Sequence, residues 1–510
     1  MSRSNASLPF SCGSLDARTA PLLYSNQRHA PTRSQRDSFP GPAFRCVHPR
    51  HANYQPQCAR GKRSLTNRIF EFCTIQATTR KRGWWFFHLP RVLAVTPRSS
   101  RKGETFLESV TLSSIQAARG RIGESIYVSP CQLSHDLSEL TGLPLHLKLE
   151  NLQRTGSFKE RGALNKLLTL SEAERKRGVI AASAGNHAQG VAFHAAALGI
   201  RAQIVMPLAT PQIKVAATRG FGAEVILHGA SYDEACGEAL RRHAEEGRTF
   251  IHAFDDAAIV AGQGTVGLEL LEQVPEMEAV VVPIGGGGLI AGMACALKET
   301  NPKIRVVGVE PEKLPSMLRA REAGAPVTIA AEATIADGIA VRRAGDLTLP
   351  LINRYVDEIV TVDDEEVASA ILQLLEHEKT LAEGAGAAAL AAVVQSKTNL
   401  RHRRTVVLVS GGNIDVSLLA KIIERGLVKD GRLLRIRVYL QDRHGALHAL
   451  TQILASQRAN IVETLHNRAY YGVSLSETAI DVTLETRGAS HIAAISHTLR
   501  EAGFRFERIQ

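Results

Sequence analysis

Residues 155–165 (TGSFKERGALN) set a lysine, Lys159, between Phe158 and Glu160, beside small residues and at the expected start of a helix. Taken alone, such a lysine reads as a solvated side chain. Three other segments change that reading. Residues 183–190 (SAGNHAQG) follow an apolar run, so their backbone N–H groups and the helix expected behind them make an anion site. Ser183, Asn186 and His187 add side-chain donors suited to a carboxylate. Residues 285–289 (GGGGL) also follow an apolar strand and open a helix, an arrangement in which backbone can wrap closely round a phosphate under the positive helix terminus. Residues 410–413 (SGGN) end a third strand with a hydroxyl donor. Each motif has a bland alternative, because glycine-rich strand-to-helix turns also arise for steric reasons.

The elements that must hold these motifs are legible as short apolar runs: Leu145–Leu149, Val179–Ala182, Ala202–Met206, Glu224–Leu227, 279–284, 305–309 and Thr405–Val409. Helical patterns such as 171–176, 233–246 and 364–377 separate them. Wholly apolar strands alternating with helices predict an α/β fold of open parallel sheets covered on both faces, with ligands at the strand ends. Residues 279–297 run for 19 residues without a charge, nominally enough to span a bilayer. Four consecutive glycines in their middle favour a buried strand, a tight loop and a buried helix instead. Around Asp430 and Gly431 the texture changes. Leu434, Ile436, Val438 and Leu440 alternate with Arg435, Arg437 and Tyr439, a half-buried strand. A turn at 442–445 leads to a helix with Leu447, Leu450, Ile453 and Leu454 on one face. Strands near 461–468 and around Ile480, Val482 and Leu484, a helix near 490–502 and a last strand complete a βαββαβ, ferredoxin-like unit.

Charge divides the chain unevenly. The 510 residues carry +11, yet residues 1–103 alone hold 15 Arg and 3 Lys against 2 Asp and 1 Glu, a net of +15, which leaves −4 for the remainder. A nucleic-acid partner for the main body is therefore not expected. Both tryptophans, nine of the 20 prolines and four of the seven cysteines (Cys12, Cys46, Cys58, Cys73) lie in the same basic segment, which shows no sustained periodicity. Two readings compete for it: an Arg-rich, Ser-rich, acid-poor organellar leader, or upstream sequence that is never translated, with Val110 as the initiator. The second is favoured, because the segment is long for a leader and its Trp-Trp-Phe-Phe cluster is unusual for one. Cys131, Cys236 and Cys295 are widely spaced and suit a reducing compartment as small buried hydrophobes.

In this order the motifs resemble the tryptophan-synthase-β-like (fold type II) pyridoxal-phosphate enzymes, and within them the threonine ammonia-lyases and serine dehydratases. The resemblance covers about 111–424, and the closing unit looks like an ACT domain. With the basic extension over 1–103 set apart, since it matches nothing in the family, the resemblance implies a two-subdomain catalytic domain over 104–425, a linker at 426–433 and an ACT-like regulatory domain over 434–510. By the same resemblance Lys159 would form the Schiff base with pyridoxal 5'-phosphate, with Phe158 packed beside the ring. Asn186 would meet the ring hydroxyl oxygen, Ser410 the ring nitrogen, and Gly285, Gly286, Gly287, Gly288 and Leu289 the phosphate. Ser183, Gly185, Asn186 and His187 would bind the substrate. Glu383 (in LAEGAG) and the pair Asp337–Gly338 match family positions near the cofactor; their bland reading is as turn and helix-cap residues.

The implied activity is conversion of L-threonine to 2-oxobutanoate and ammonia, and of L-serine to pyruvate, in cytoplasmic amino-acid metabolism such as isoleucine biosynthesis. A plastid or mitochondrial setting would follow if the extension were a transit peptide. A serine racemase is the nearest rival. Family racemases place a serine where this chain has Ala184, which has no proton to give to the opposite face of Cα. Racemases of this kind also bind a divalent cation through a Glu ending a strand; Glu310 matches that ligand, but Ser316 stands where a second carboxylate would be, so no metal is assigned. A non-catalytic amino-acid sensor is the rival from another class. In the ACT-like unit, residues 442–447 (DRHGAL) would offer backbone donors to an amino-acid effector such as isoleucine or valine through Gly445, Ala446 and Leu447, while Asp442 and Asn460 could meet its amine. A homodimer or homotetramer is the implied assembly.

Overall fold

The computed structural model describes residues 110–467 and 474–509. Residues 1–103, including four of the cysteines, and Arg468 lie outside the described residues. Val110 opens the described chain, buried against the helix Gly288–Thr300, where its carbonyl lies 3.8 Å from Cys295 Sγ.

Two open sheets build the larger part of the described chain. The larger runs in the order Cys131–Leu133, Leu145–Leu149, Thr405–Val409, Ala279–Pro283, Arg305–Pro311 and Glu358–Val362; all pairs are parallel except the first. The smaller is wholly parallel, in the order Glu224–Leu227, Ala202–Met206, Val179–Ala182 and Thr249–Phe250. Every residue of the strands Ala279–Pro283, Thr405–Val409 and Val179–Ala182 is buried, as two-sided covering requires. The uncharged stretch 279–297 is accordingly a strand, a glycine loop and the start of Gly288–Thr300. Among the described residues no helix is long and apolar enough to cross a membrane.

A fully buried charge cluster fixes the lysine helix, Lys159–Leu168, against the helix Ala257–Gln273. Arg161 has no solvent exposure, and its guanidinium takes Glu150 on one side and Glu269 on the other, with N–O distances of 2.6–2.9 Å. Lys148, also fully buried, donates to Glu269 at 2.6 Å, to Gln273 and to the Ser129 carbonyl. Two cations and two carboxylates thus neutralise one another inside the protein. Where Ala257–Gln273 meets Gly288–Thr300, a Cβ on Gly264 would come within 2.9 Å of the Gly292 carbonyl, so close packing demands glycine there.

The C-terminal unit is βαββαβ: Leu433–Gln441, Ala446–Ser456, Asn460–Asn467, Glu477–Glu485, Ala489–Glu501 and Arg505–Arg508. Its antiparallel sheet runs Asn460–Asn467, Glu477–Glu485, Leu433–Gln441, Arg505–Arg508. Four details differ from the sequence reading. Half of the expected linker is helix, since Val416–Lys429 runs to within four residues of the strand Leu433–Gln441. Leu447 is 42% exposed rather than core, and of the three described cysteines only Cys295 is fully buried. Asp442 and Asn460 stand at opposite ends of the sheet: Asn460 pairs with Glu485, which pairs with Leu433, whereas Asp442 follows Gln441 at the far end. Eight residues of strand separate the two levels by roughly 25 Å, so one copy cannot bring both to one amine.

Removing one member of the buried cluster strands the other charge in a dry interior. Glu150→Ala should therefore lose about 3–5 kcal/mol in urea unfolding. Glu172→Ala, which breaks the exposed pair with Lys176, should leave the unfolding midpoint unchanged within error.

Candidate active site

One cavity of about 840 Å³ lies where the strands of both sheets end. It is lined by Phe158, Lys159, the 183–187 loop, Gly285–Leu289 and Glu383, with Ser410 and Asn413 at its inner side. The three motif-bearing loops converge because each follows a strand of a parallel sheet, whose ends all face the same way.

Lys159 begins its helix, and its Nζ donates to the carbonyl of Ala253 at 3.0 Å. Burial pulls the amine down to about 8, against the attraction of Glu383. It is therefore a base near neutrality. Glu383 itself is pushed up to about 7 by burial, with Asp337 adding repulsion and Asn186 opposing it as a hydrogen-bond donor. Asn186 Nδ2 reaches Glu383 Oε1 at 2.6 Å. Asp337 is held by Lys214 at 2.8 Å, and Arg342 by Asp233 at 2.5 Å; both pairs join the smaller-sheet side to the loop that includes Asp337–Gly338.

The anion loop works differently from its sequence reading. His187 is buried, its Nε2 sits 2.9 Å from the Ile251 carbonyl, and burial pushes it down to about 3. A neutral ring donating from Nε2 has only a bare acceptor left at Nδ1. His187 can serve a carboxylate through its backbone N–H, not through its ring. The helix Asn186–Ala197 has no side-chain cap, so its first N–H groups are available to a ligand. Ser183 Oγ accepts from Gly185 N–H at 3.2 Å.

The second glycine loop is a cradle that side chains would fill. A Cβ on Gly286 would meet the Phe254 ring at 2.3 Å, and Gly287 holds φ +95° at an uncapped helix start. Thr348 Oγ1 donates to the Gly286 carbonyl at 2.7 Å. Ser410 is buried, its Oγ 3.3 Å from the Ala385 carbonyl. A buried amine, a backbone cradle for a phosphate and a neutral hydroxyl in one cavity fit pyridoxal phosphate. Glu310, by contrast, spends both oxygens on the Met317 and Leu318 N–H groups at 2.8 Å, capping the helix Ser316–Ala323. Among the described residues no cluster of His, Cys, Asp or Glu could hold a metal ion.

Sequence reasoning missed the 252–255 segment. It supplies the Ala253 carbonyl, the Phe254 wall behind Gly286, and Asp255, which accepts from the Asp346 and Leu347 N–H groups. No local motif marks it. Lys214, Asp233 and Arg342 were missed for the same reason: their partners lie about a hundred residues away.

Residues 122–411 match the pyridoxal-phosphate dependent enzyme family. The chain is 47% identical to an L-threonine ammonia-lyase of Thermotoga maritima over 395 residues, 78% of this chain and 98% of that relative. Among solved structures, the processed form of threonine deaminase isoform 2 from Solanum lycopersicum is 36% identical with a TM-score of 0.59, covering 66% of this chain and 99% of that one. Maize serine racemase is 35% identical with a TM-score of 0.59, covering 63% and 99%.

Two measurements check the site. In cofactor-free protein, labelling of Lys159 by an amine reagent should reach half its maximum near pH 8, because the neutral form reacts and its share rises with pH; peptide mass mapping reads it. Gly286→Ala should lower cofactor retention at least tenfold in equilibrium dialysis, since its methyl collides with Phe254.

Proposed function

The chain belongs to the pyridoxal-phosphate-dependent enzymes and, within them, to the threonine ammonia-lyases; from that premise we propose that it converts L-threonine to 2-oxobutanoate and ammonia, and L-serine to pyruvate. Pyridoxal 5'-phosphate is its cofactor. The observation that carries the reading is the buried amine of Lys159, a base near neutrality, in one cavity with the glycine cradle and the neutral Ser410.

In this proposal Lys159 holds the cofactor, Gly285–Leu289 hold its phosphate, Asn186 faces the ring hydroxyl oxygen and Ser410 the ring nitrogen. Bound there, the cofactor withdraws the electrons left at Cα when the proton departs. The backbone N–H of His187, with the Ser183 hydroxyl that the Gly185 N–H positions, orients the substrate carboxylate. The ε-amine of Lys159 would be the base that accepts the Cα proton. A neutral hydroxyl such as that of Ser410 would not hold the ring nitrogen protonated, which would favour loss of the β-hydroxyl. Ala184 lines the cavity without a proton to return, so racemization is disfavoured despite the likeness to maize serine racemase.

A cytoplasmic setting and a homodimer or homotetramer are part of the proposal, as is an effector role for the ACT-like unit. Its turn at 442–447 opens a helix whose N-cap, Gly445, has φ +85° and no side-chain cap, so backbone donors face outward to an amino-acid carboxylate. With Asp442 and Asn460 at opposite ends of the sheet, a pocket using both needs two copies.

Lys159→Ala should abolish ammonia release and the visible absorbance of the bound cofactor while leaving circular dichroism unchanged; retention of more than about a thousandth of turnover would contradict the assignment. Both substrates should react with threonine preferred. One methyl is worth about 1–3 kcal/mol, so the ratio of kcat/KM should fall within roughly 10–200. Millimolar isoleucine or valine should shift threonine saturation about 5–150-fold, and truncation after Lys429 should remove that response. Unchanged saturation curves would leave the domain purely structural.

A further inference from the structure

Asn413 closes the SGGN loop where three loops meet. Its Nδ2 donates to the Thr155 carbonyl at 2.7 Å and to Asn186 Oδ1 at 2.7 Å. Backbone contacts bind the same two loops: Phe158 N–H donates to the Ser410 carbonyl and Gly412 N–H to the Gly156 carbonyl. The side chain lies so close to the lysine loop that a Cβ on Gly156, where φ is +78°, would come within 2.5 Å of Asn413 Oδ1.

A side-chain amide has nearly the same shape when turned end for end, so its direction is set only by its partners. A backbone carbonyl can accept and never donate. The Thr155 carbonyl therefore forces the NH₂ end of Asn413 toward itself. The second hydrogen on that nitrogen then requires an acceptor, which turns Asn186 Oδ1 toward Asn413. Asn186 Nδ2 is left facing Glu383 Oε1 at 2.6 Å, on a residue that lines the cavity. The direction of the chain of hydrogen bonds is set at one end by the Thr155 main-chain oxygen, through Asn413, and at the other by the Glu383 carboxyl.

We propose that Asn413 is a positioning residue: it sets the direction of the Asn186 amide, so that a donor and not an acceptor meets the cofactor's ring hydroxyl oxygen. The inference rests on the cofactor reading given above. Asn413→Asp keeps the shape but replaces the donor by an oxygen, which repels both the Thr155 carbonyl and Asn186 Oδ1. Asn186 then turns its acceptor to the ring oxygen, and the oxyanion there loses its stabilising donor.

The test uses full-length holoenzyme and follows the visible band of the lysine-bound cofactor against pH. Asn413→Asp should raise the midpoint by roughly one unit and lower kcat/KM on the order of 10²-fold. Asn413→Ser, too short to reach Asn186, should move the midpoint the same way. In an Asn186→Ala background, Asn413→Asp should add almost nothing, because coupled residues act non-additively. An unchanged midpoint in both single variants, or an equal shift with and without Asn186, would overturn the inference while sparing the cofactor reading. A wild-type enzyme with no band that borohydride removes would overturn both. Should the variants not fold, a crystal structure of wild-type holoenzyme decides: Asn413 Nδ2 beyond hydrogen-bond distance of Asn186 Oδ1 sinks the proposal, and contact at both oxygens supports it.

Discussion

Arg161 is held inside the protein by two carboxylates that come from opposite sides, Glu150 after the strand Leu145–Leu149 and Glu269 on the helix Ala257–Gln273. A guanidinium offers donors in a rigid planar fork, so bidentate contacts fix its plane as well as its position. Two residues earlier on the same helix stands Lys159. Once Arg161 is clamped, the first turn of that helix can neither rotate nor slide, and the lysine amine emerges at one point of the cavity wall. The Ala253 carbonyl then takes it from the other side. Such a cluster gives little net stability compared with a well-packed apolar core. Its value here is directional.

Much of this architecture is legible in the letters, and the reason is locality. Apolar runs such as 279–284 and Thr405–Val409 become strands because nothing in them tolerates water, and the four glycines at 285–288 bend where they must. The βαββαβ order is equally readable, since alternating residues from Leu434 to Leu440 bury one face and expose the other. What the letters conceal is pairing across distance. Lys148 in LHLKL reads as an outward-facing strand residue, yet it is fully buried against Glu269, 121 positions away. Arg161 in KERG reads as solvated for the same reason. For His187 the letters show that a ring is present, not which of its nitrogens a distant carbonyl claims.

Burial also divides the labour among titrating groups. Burial lowers Lys159 to about 8 and raises Glu383 to about 7, so each of two groups of opposite charge type is shifted toward its uncharged form. His187, at about 3, is removed from acid–base work altogether. The backbone dipoles and hydroxyls that line the cavity are fixed in place and need no rearrangement as charge develops.

The helix Val416–Lys429 begins six residues after Ser410 and ends four before the C-terminal sheet. Ile422 buries one of its faces in the catalytic core, Gly426 sits against Leu372, and Arg432 beyond it reaches Glu376. Fourteen residues of helix make a rod of about 21 Å. Joined to the sheet through so few residues, the C-terminal unit is mounted on a lever and not hung on a tether. A rotation of that unit would be passed along the rod to its first turn, six residues from Ser410.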